Sequence, residues 1–186
     1  QGVSSAASDV YKRQVQGIVV PHVETPDDAA AMIHNQKFPP LGVRSMSRSS
    51  AMTGYETMSI ADIAEKANEA CLAIPMLETK ASVDHARSIA ALAHIDVILI
   101  GASDLCADFG LPGAFNHPQI VAACEEIIAA CREHGKPCGI SGVRDDALLR
   151  HYVERGVRMI HAGTDAPLLI EIGKTKTNAL RNIASH

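Results

Sequence analysis

From Val15 onward, short β-branched apolar runs alternate with longer stretches in which apolar residues recur every three or four positions. The first run is Gly17-Ile-Val-Val-Pro-His22. Thr25-Pro-Asp-Asp28 after it carries the marks of a helix start: a capping hydroxyl, a proline pre-set for the first turn, and two acids at the positive end of the helix dipole. An irregular stretch and a polar helix around Ser59 to Ala70 lead to a second run, Cys71 to Leu77. A helix from about Lys80 to Ala93 precedes the third, Asp96 to Gly101. The strongest periodicity follows Pro118, where Ile120, Val121, Cys124, Ile127, Ile128 and Cys131 share one face until Gly135 and Pro137 stop the helix. Then come a short strand near Pro137 to Ile140 and a helix opened by Asp145 and Asp146 and closed by Gly156. A fifth strand over Val157 to Ala162 and an amphipathic helix carrying Leu168, Leu169, Ile172, Leu180 and Ile183 complete the rhythm.

Apolar strands separated by helices predict an α/β fold with a parallel sheet under helical cover. A (β/α)8 TIM barrel has eight strand–helix units over about 250 residues, whereas about five of the eight are visible in these 186 residues. Periodicity therefore leaves two architectures open: a doubly wound open sheet, or a barrel lacking its first three units.

Composition narrows the class. With 47% hydrophobic and 20% charged residues, the chain holds one core and is too short for two ordinary domains. A net charge of −4, with no run of Lys or Arg longer than a pair, argues against a nucleic-acid partner and for a small molecule. The five cysteines, Cys71, Cys106, Cys124, Cys131 and Cys138, are odd in number and never form a CxxC pair. They suit a reducing cytoplasm better than a disulfide framework or a zinc knuckle. No apolar run approaches the roughly 20 residues of a membrane span. Residues 1–14 show neither period and are set aside as a leader or sequence artefact, leaving the domain over 15–186.

In both candidate architectures functional side chains gather just past the carboxyl ends of the strands. Those positions are His22, Glu78, Asp104, Ser141 and Gly163 with Thr164. Glu78 and Asp104 follow adjacent apolar runs, so one rim would carry both carboxylates within about 10 Å. Such a pair suits a hard cation, Mg²⁺ or Mn²⁺, with coordination positions left for the keto and carboxylate oxygens of a 2-oxo acid. The competing structural reading makes Glu78 a helix cap and Asp104 a turn cap. His22 is the candidate catalytic acid or base, against a structural histidine. Arg44 is a candidate clamp for a substrate carboxylate or phosphate, against a loop-closing salt bridge. Asp165 reads as the cap of the last helix, His117 as a helix entry before Pro118, and Cys106, placed in a rim loop, as the thiol to test for reactivity.

Five segments carry a resemblance: Val19-Val-Pro-His-Val23, Pro39-Pro-Leu-Gly-Val-Arg44, Leu77-Glu-Thr79, Gly101 to Gly110 with His117-Pro118, and Gly163-Thr-Asp165. In order and spacing, over about Val15 to Ala184, the chain resembles the HpcH/HpaI aldolase and citrate lyase family of the phosphoenolpyruvate/pyruvate barrels. The resemblance implies a (β/α)8 TIM barrel and retro-aldol cleavage of a 4-hydroxy-2-oxo acid to pyruvate and an aldehyde. It also implies Glu78 and Asp104 as ligands of a divalent metal (Mg²⁺, Mn²⁺ or Co²⁺), with the amides of Ser103 and Asp104 on the pyruvate carboxylate. A homo-oligomer is expected, a hexamer built from dimers that exchange the last helix. Two departures bear on function. Met76 stands where many members carry a glutamine that contacts pyruvate, and the family's catalytic histidine and pyruvate-binding arginine belong to a portion preceding the matched segments. The polypeptide alone is therefore expected to bind metal weakly and to have little aldolase activity. A citrate-lyase-type enzyme acting on an acyl-CoA thioester and a non-catalytic barrel fragment serving assembly are the alternatives.

Overall fold

The computed structural model describes residues 16–46 and 57–184. The expected leader, and part of the irregular stretch before Ser59, lie outside the described residues. Five strands, β1 (Gly17–Val20), β2 (Leu72–Leu77), β3 (Ile98–Gly101), β4 (Cys138–Ser141) and β5 (Val157–Ile160), form one parallel sheet in the order β1-β2-β3-β4-β5. Strand order decides between the two architectures. A doubly wound sheet reverses its order at a switch point and places helices on both faces, whereas strands added one after another in a single direction put every crossover helix on the same face. The sheet is α/β of the (β/α)8-barrel type, with five of its units among the described residues.

Strand parity confirms the winding. Ala73, Leu77, Ile98, Ile100 and Ile140 point outward into the main core, against Met32, Ile89, Ile120, Cys124, Ile127 and Tyr152 from the helices. The alternate positions Ile74, Val97 and Leu99, with Met76 and Met159, make a small separate cluster on the inner face.

Local chemistry sets most helix ends. Helix α1 (Pro26–Gln36) starts in a complete capping box: Thr25 accepts from the Asp28 N–H, and the Asp28 carboxylate accepts from the Thr25 N–H at 2.9 Å and from its hydroxyl at 2.7 Å. That hydroxyl holds the Asp28 carboxyl below the usual carboxylate range. Ser59 caps α2 (Ile60–Ala70). The single helix expected from Lys80 to Ala93 is instead two, α3 (Lys80–Asp84) and α4 (Ala86–Ala90). They break at His85, whose Nδ1 lies 3.0 Å from the carbonyls of both Glu24 and Ala81, a tie to the β1 loop. A further helix, α5 (Ala102–Asp108), occupies what the sequence reading leaves as a rim loop. Helix α6 (Pro118–Glu133) starts at the His117 cap, and α7 (Asp146–Arg155) starts at the Asp145 cap and closes on Gly156. Helix α8 (Asp165–Ala184) stands away from the core, with Leu168, Leu169, Ile172, Leu180 and Ile183 all exposed. Among the described residues no helix is long and apolar enough to cross a membrane.

Candidate active site at the strand-exit rim

Counting by twos along β2 carries the inner face from Ile74 through Met76 to Glu78. That carboxylate therefore turns inward at the rim while its neighbour Leu77 packs outward. It is only 1% exposed. A buried charge needs polar partners, and the turn after β1 supplies them. Oε1 of Glu78 accepts the backbone N–H of His22 at 2.7 Å and lies 3.0 Å from Nδ1 of its imidazole. To present both groups, His22 adopts φ +56°, the left-handed region that costs an L-residue about 1–2 kcal/mol. The imidazole itself is 74% exposed.

The other flank of Glu78 is set by β3. Met76 pairs with Leu99 and Leu77 with Ile100, so Glu78 stands opposite Gly101. A β-carbon on Gly101 would sit 2.7 Å from Oε2 and 2.9 Å from Cβ of Glu78, which is why this position has no side chain. Helix α5 begins at the next residue, and its first turn carries Ser103 and Asp104, both exposed. Lys80 N–H donates to Asp108 at 2.8 Å, tying the start of α3 to the end of α5. The structure thus brings His22, Glu78, Ser103 and Asp104 to one rim.

Arg44 is not brought there. It is buried with its guanidinium 4.4 Å from the ring centroid of Phe38, in the small cluster that Phe38 forms with Ala64 and Ala67. That loop is anchored where strands enter the sheet. Lys37 Nζ donates to the carbonyls of Asn68 and Cys71, the latter immediately before β2, and the Phe38 N–H donates to the Asn68 side chain. At about 3.3 Å per residue, the length of β2 separates this end from Glu78 by roughly 20 Å. Arg44, the expected substrate clamp, thus packs on Phe38 away from the rim that carries Glu78.

Cys106 is a second correction. It faces the core from α5, fully buried, and desolvation pushes its thiol pKa up, the reverse of an activated nucleophile.

The sequence reading placed Ser141 on the rim but did not pair it. Gly101 pairs with Ser141 and Ile140 with Ile160, so the inner row continues Glu78, Gly101, Ser141, His161. Ser141 Oγ lies 3.2 Å from His161 Nδ1. Two-residue parity, extended one step past each strand, is the signal that would have found this row.

Among the described residues no group of three or more His, Cys, Asp or Glu side chains gathers as a metal cluster. The donor set fits a hard cation as two carboxylates that leave positions for exogenous oxygen ligands. Glu78 meets the first condition for such a role, since a buried carboxylate held by a single backbone amide and an imidazole remains poor in compensating charge.

Parallel βα units wound in one direction, with acids on the strand-exit rim, define an enzyme scaffold of the barrel class. The chain belongs to the HpcH/HpaI aldolase/citrate lyase family, whose profile matches residues 2–171. The 4-hydroxy-4-methyl-2-oxoglutarate aldolase of Chaetomium globosum is 38% identical over 156 residues, 82% of this chain and 58% of that protein. The hydroxypyruvate/pyruvate aldolase of Sagittula stellata is 35% identical over 154 residues, 83% of this chain and 60% of its own. The chain thus spans 58% and 60% of the length of these two relatives. The crystal structure of an HpcH/HpaI aldolase from Desulfitobacterium hafniense superimposes with a TM-score of 0.85, covering 96% of this chain and 68% of that one at 22% identity, a likeness of fold.

Proposed function

We propose that the protein is a carbon–carbon lyase that cleaves a 4-hydroxy-2-oxo acid between C3 and C4, releasing pyruvate and an aldehyde. The observation that carries this reading is the seat of Glu78: a buried carboxylate on the strand-exit rim, one oxygen fixed by His22 and the other in the space left at Gly101. Glu78 and Asp104 are the residues that would hold a divalent cation, Mg²⁺, Mn²⁺ or Co²⁺, whose charge would stabilise the negative charge developing on the 2-oxo oxygen. The N–H groups of Ser103 and Asp104, at the start of α5, are donors for the carboxylate of the 2-oxo acid.

Cleavage takes a proton from the 4-hydroxyl, leaves the C3–C4 electron pair on the pyruvate fragment, and returns a proton to C3. His22 is the side chain assigned to this traffic, a reading supported by its position beside Glu78. Its Nδ1 beside Glu78 favours the tautomer in which Nδ1 carries the hydrogen, so Nε2 is the nitrogen able to take a proton. The aldolase names of the relatives support the reaction class. A homo-oligomer belongs to the same reading, supported by the exposed apolar residues of α8.

The test follows pyruvate release from 4-hydroxy-2-oxo acids in the presence of added Mg²⁺ or Mn²⁺. Release that a chelator abolishes supports the proposal. Cleavage of acyl-CoA thioesters instead, or pyruvate release that a chelator leaves intact, overturns it.

A further inference from the structure

The loop that joins β4 to α7 is fastened at every other residue. Ser141 pairs with Gly101 of β3, and its Oγ lies 3.2 Å from Nδ1 of His161. Val143 is buried in the main core. Asp145 caps α7, accepting the Leu148 N–H at 2.7 Å. A segment tied down so closely by pairing, burial and capping has little freedom to retreat from what it touches.

Between the first two of those ties stands Gly142, at φ +89°, against the first turn of α5. A β-carbon there would lie 2.5 Å from Oγ, 3.2 Å from N and 3.5 Å from Cβ of Ser103. Rotation of the Ser103 side chain would relieve the first of these contacts but not the second, which is made with backbone. Glycine is therefore required for two separate reasons, the left-handed conformation and the close approach. At Gly135, with φ +65°, only the first reason applies, because an added β-carbon would meet nothing within 4 Å.

The residue that Gly142 touches immediately precedes Asp104. Helix α5 has seven residues, and so short a helix takes its placement from tertiary contacts rather than from its own hydrogen bonds. Buried Ala102, Leu105 and Cys106 hold its inner face, and the Lys80 N–H holds Asp108 at its far end. Gly142 bounds the first turn on the side of Ser103.

We propose that Gly142 is a positioning residue for the cation site: the fastened loop after β4 sets where the first turn of α5 stops, and so where Asp104 stands relative to Glu78. A side chain at position 142 would displace Ser103, and Asp104 with it, since the loop is anchored on both sides. Metal–ligand distances tolerate only about 0.2 Å of error, so a small displacement is enough to weaken binding. The assignment of Glu78 and Asp104 to one divalent cation is part of the lyase reading, on which this inference rests.

The test measures Mn²⁺ affinity, from the electron paramagnetic resonance signal of the free ion, beside denaturant unfolding of the same samples. Gly142→Ala is expected to weaken Mn²⁺ binding about tenfold. In a Ser103→Ala background, which removes the crowded hydroxyl, the same substitution is expected to cost less than about threefold, although the backbone strain is unchanged. Gly135→Ala carries left-handed strain without crowding and is expected to lose stability while binding Mn²⁺ as the parent does. Gly142→Asn, whose side chain tolerates the left-handed region, brings in the same β-carbon and keeps the measurement available if Gly142→Ala does not fold. Parent-like affinity in the folded Gly142 variants, or equal losses with and without the Ser103 hydroxyl, overturns the positioning role and leaves the lyase reading standing. Failure of the parent to bind Mn²⁺ overturns the cation site and the positioning role with it.

Discussion

Glu78 and Gly101 face each other across β2 and β3, and the carboxylate occupies the volume where a side chain on residue 101 would begin. Backbone strain is not at issue, because Gly101 has φ −90°. Gly101→Ala therefore tests crowding alone. The added methyl would press on Oε2 of Glu78 and lie 3.0 Å from Sδ of Met76. We expect a loss of about 1–3 kcal/mol in thermal or denaturant unfolding, together with a weaker cation affinity. Unchanged stability and unchanged Mn²⁺ binding would show that the carboxylate does not depend on this seat.

His22 separates a backbone role from a side-chain role. Asparagine tolerates the left-handed region and a β-branched residue does not. His22→Val is expected to lose about 1–2 kcal/mol more stability than His22→Asn, read by chemical denaturation. Both variants keep the N–H that Glu78 accepts and lack the imidazole. If the ring moves the proton, both lower kcat by roughly 10²- to 10⁴-fold and flatten its pH profile. Full kcat in His22→Asn would confine His22 to positioning Glu78.

Much of this fold was legible because its signals are local. Thr25, His117 and Asp145 each cap a helix with their own side chains, and Gly156 ends one. What escaped sequence reading depends on contacts made at a distance. Nothing near His85 announces the break between α3 and α4, because the ring answers to the carbonyl of Glu24, 61 positions away. Helix α5 is short and starts directly from β3, so its buried Ala102, Leu105 and Cys106 were too few to set a period. The winding of the sheet follows from pairing order, which periodicity does not contain. At the site, Glu78 and Asp104 were readable as acids closing adjacent apolar runs. Arg44 lies near the strand-entry end, and its motif says nothing about which end of a strand it lies against. The Ser141–His161 pair needed the register of β4 and β5.

The capping box of α1 gives a pH dependence of known sign. Thr25 lowers the Asp28 pKa from its ordinary 3.8, so the ionised carboxylate is favoured by the fold. The stability it contributes is complete above that ordinary value and is lost as pH falls through the lower folded one. Asp28→Asn is expected to cost about 0.5–1 kcal/mol near neutral pH, and the difference from the parent should shrink between about pH 5 and about pH 2. A difference that stays constant over that range would contradict the role given to the charge.

All five cysteines are buried. Burial raises the thiol of Cys106, and burial likewise raises that of Cys124, to about 11. The native protein is therefore expected to react with a thiol-specific disulfide reagent only at the rate of its unfolding, with all five groups released in denaturant. Rapid labelling of Cys106 in the folded protein would show that α5 opens.

Whether Glu78 and Asp104 grip one ion together is measured directly by Mn²⁺ titration followed by electron paramagnetic resonance. The parent is expected to remove Mn²⁺ from the free signal at a single site. Glu78→Gln and Asp104→Asn should each weaken binding by about tenfold or more, and the double variant little further, because either change dismantles the same site. Binding that survives both substitutions, or losses in the two single variants that simply add, would contradict a shared site.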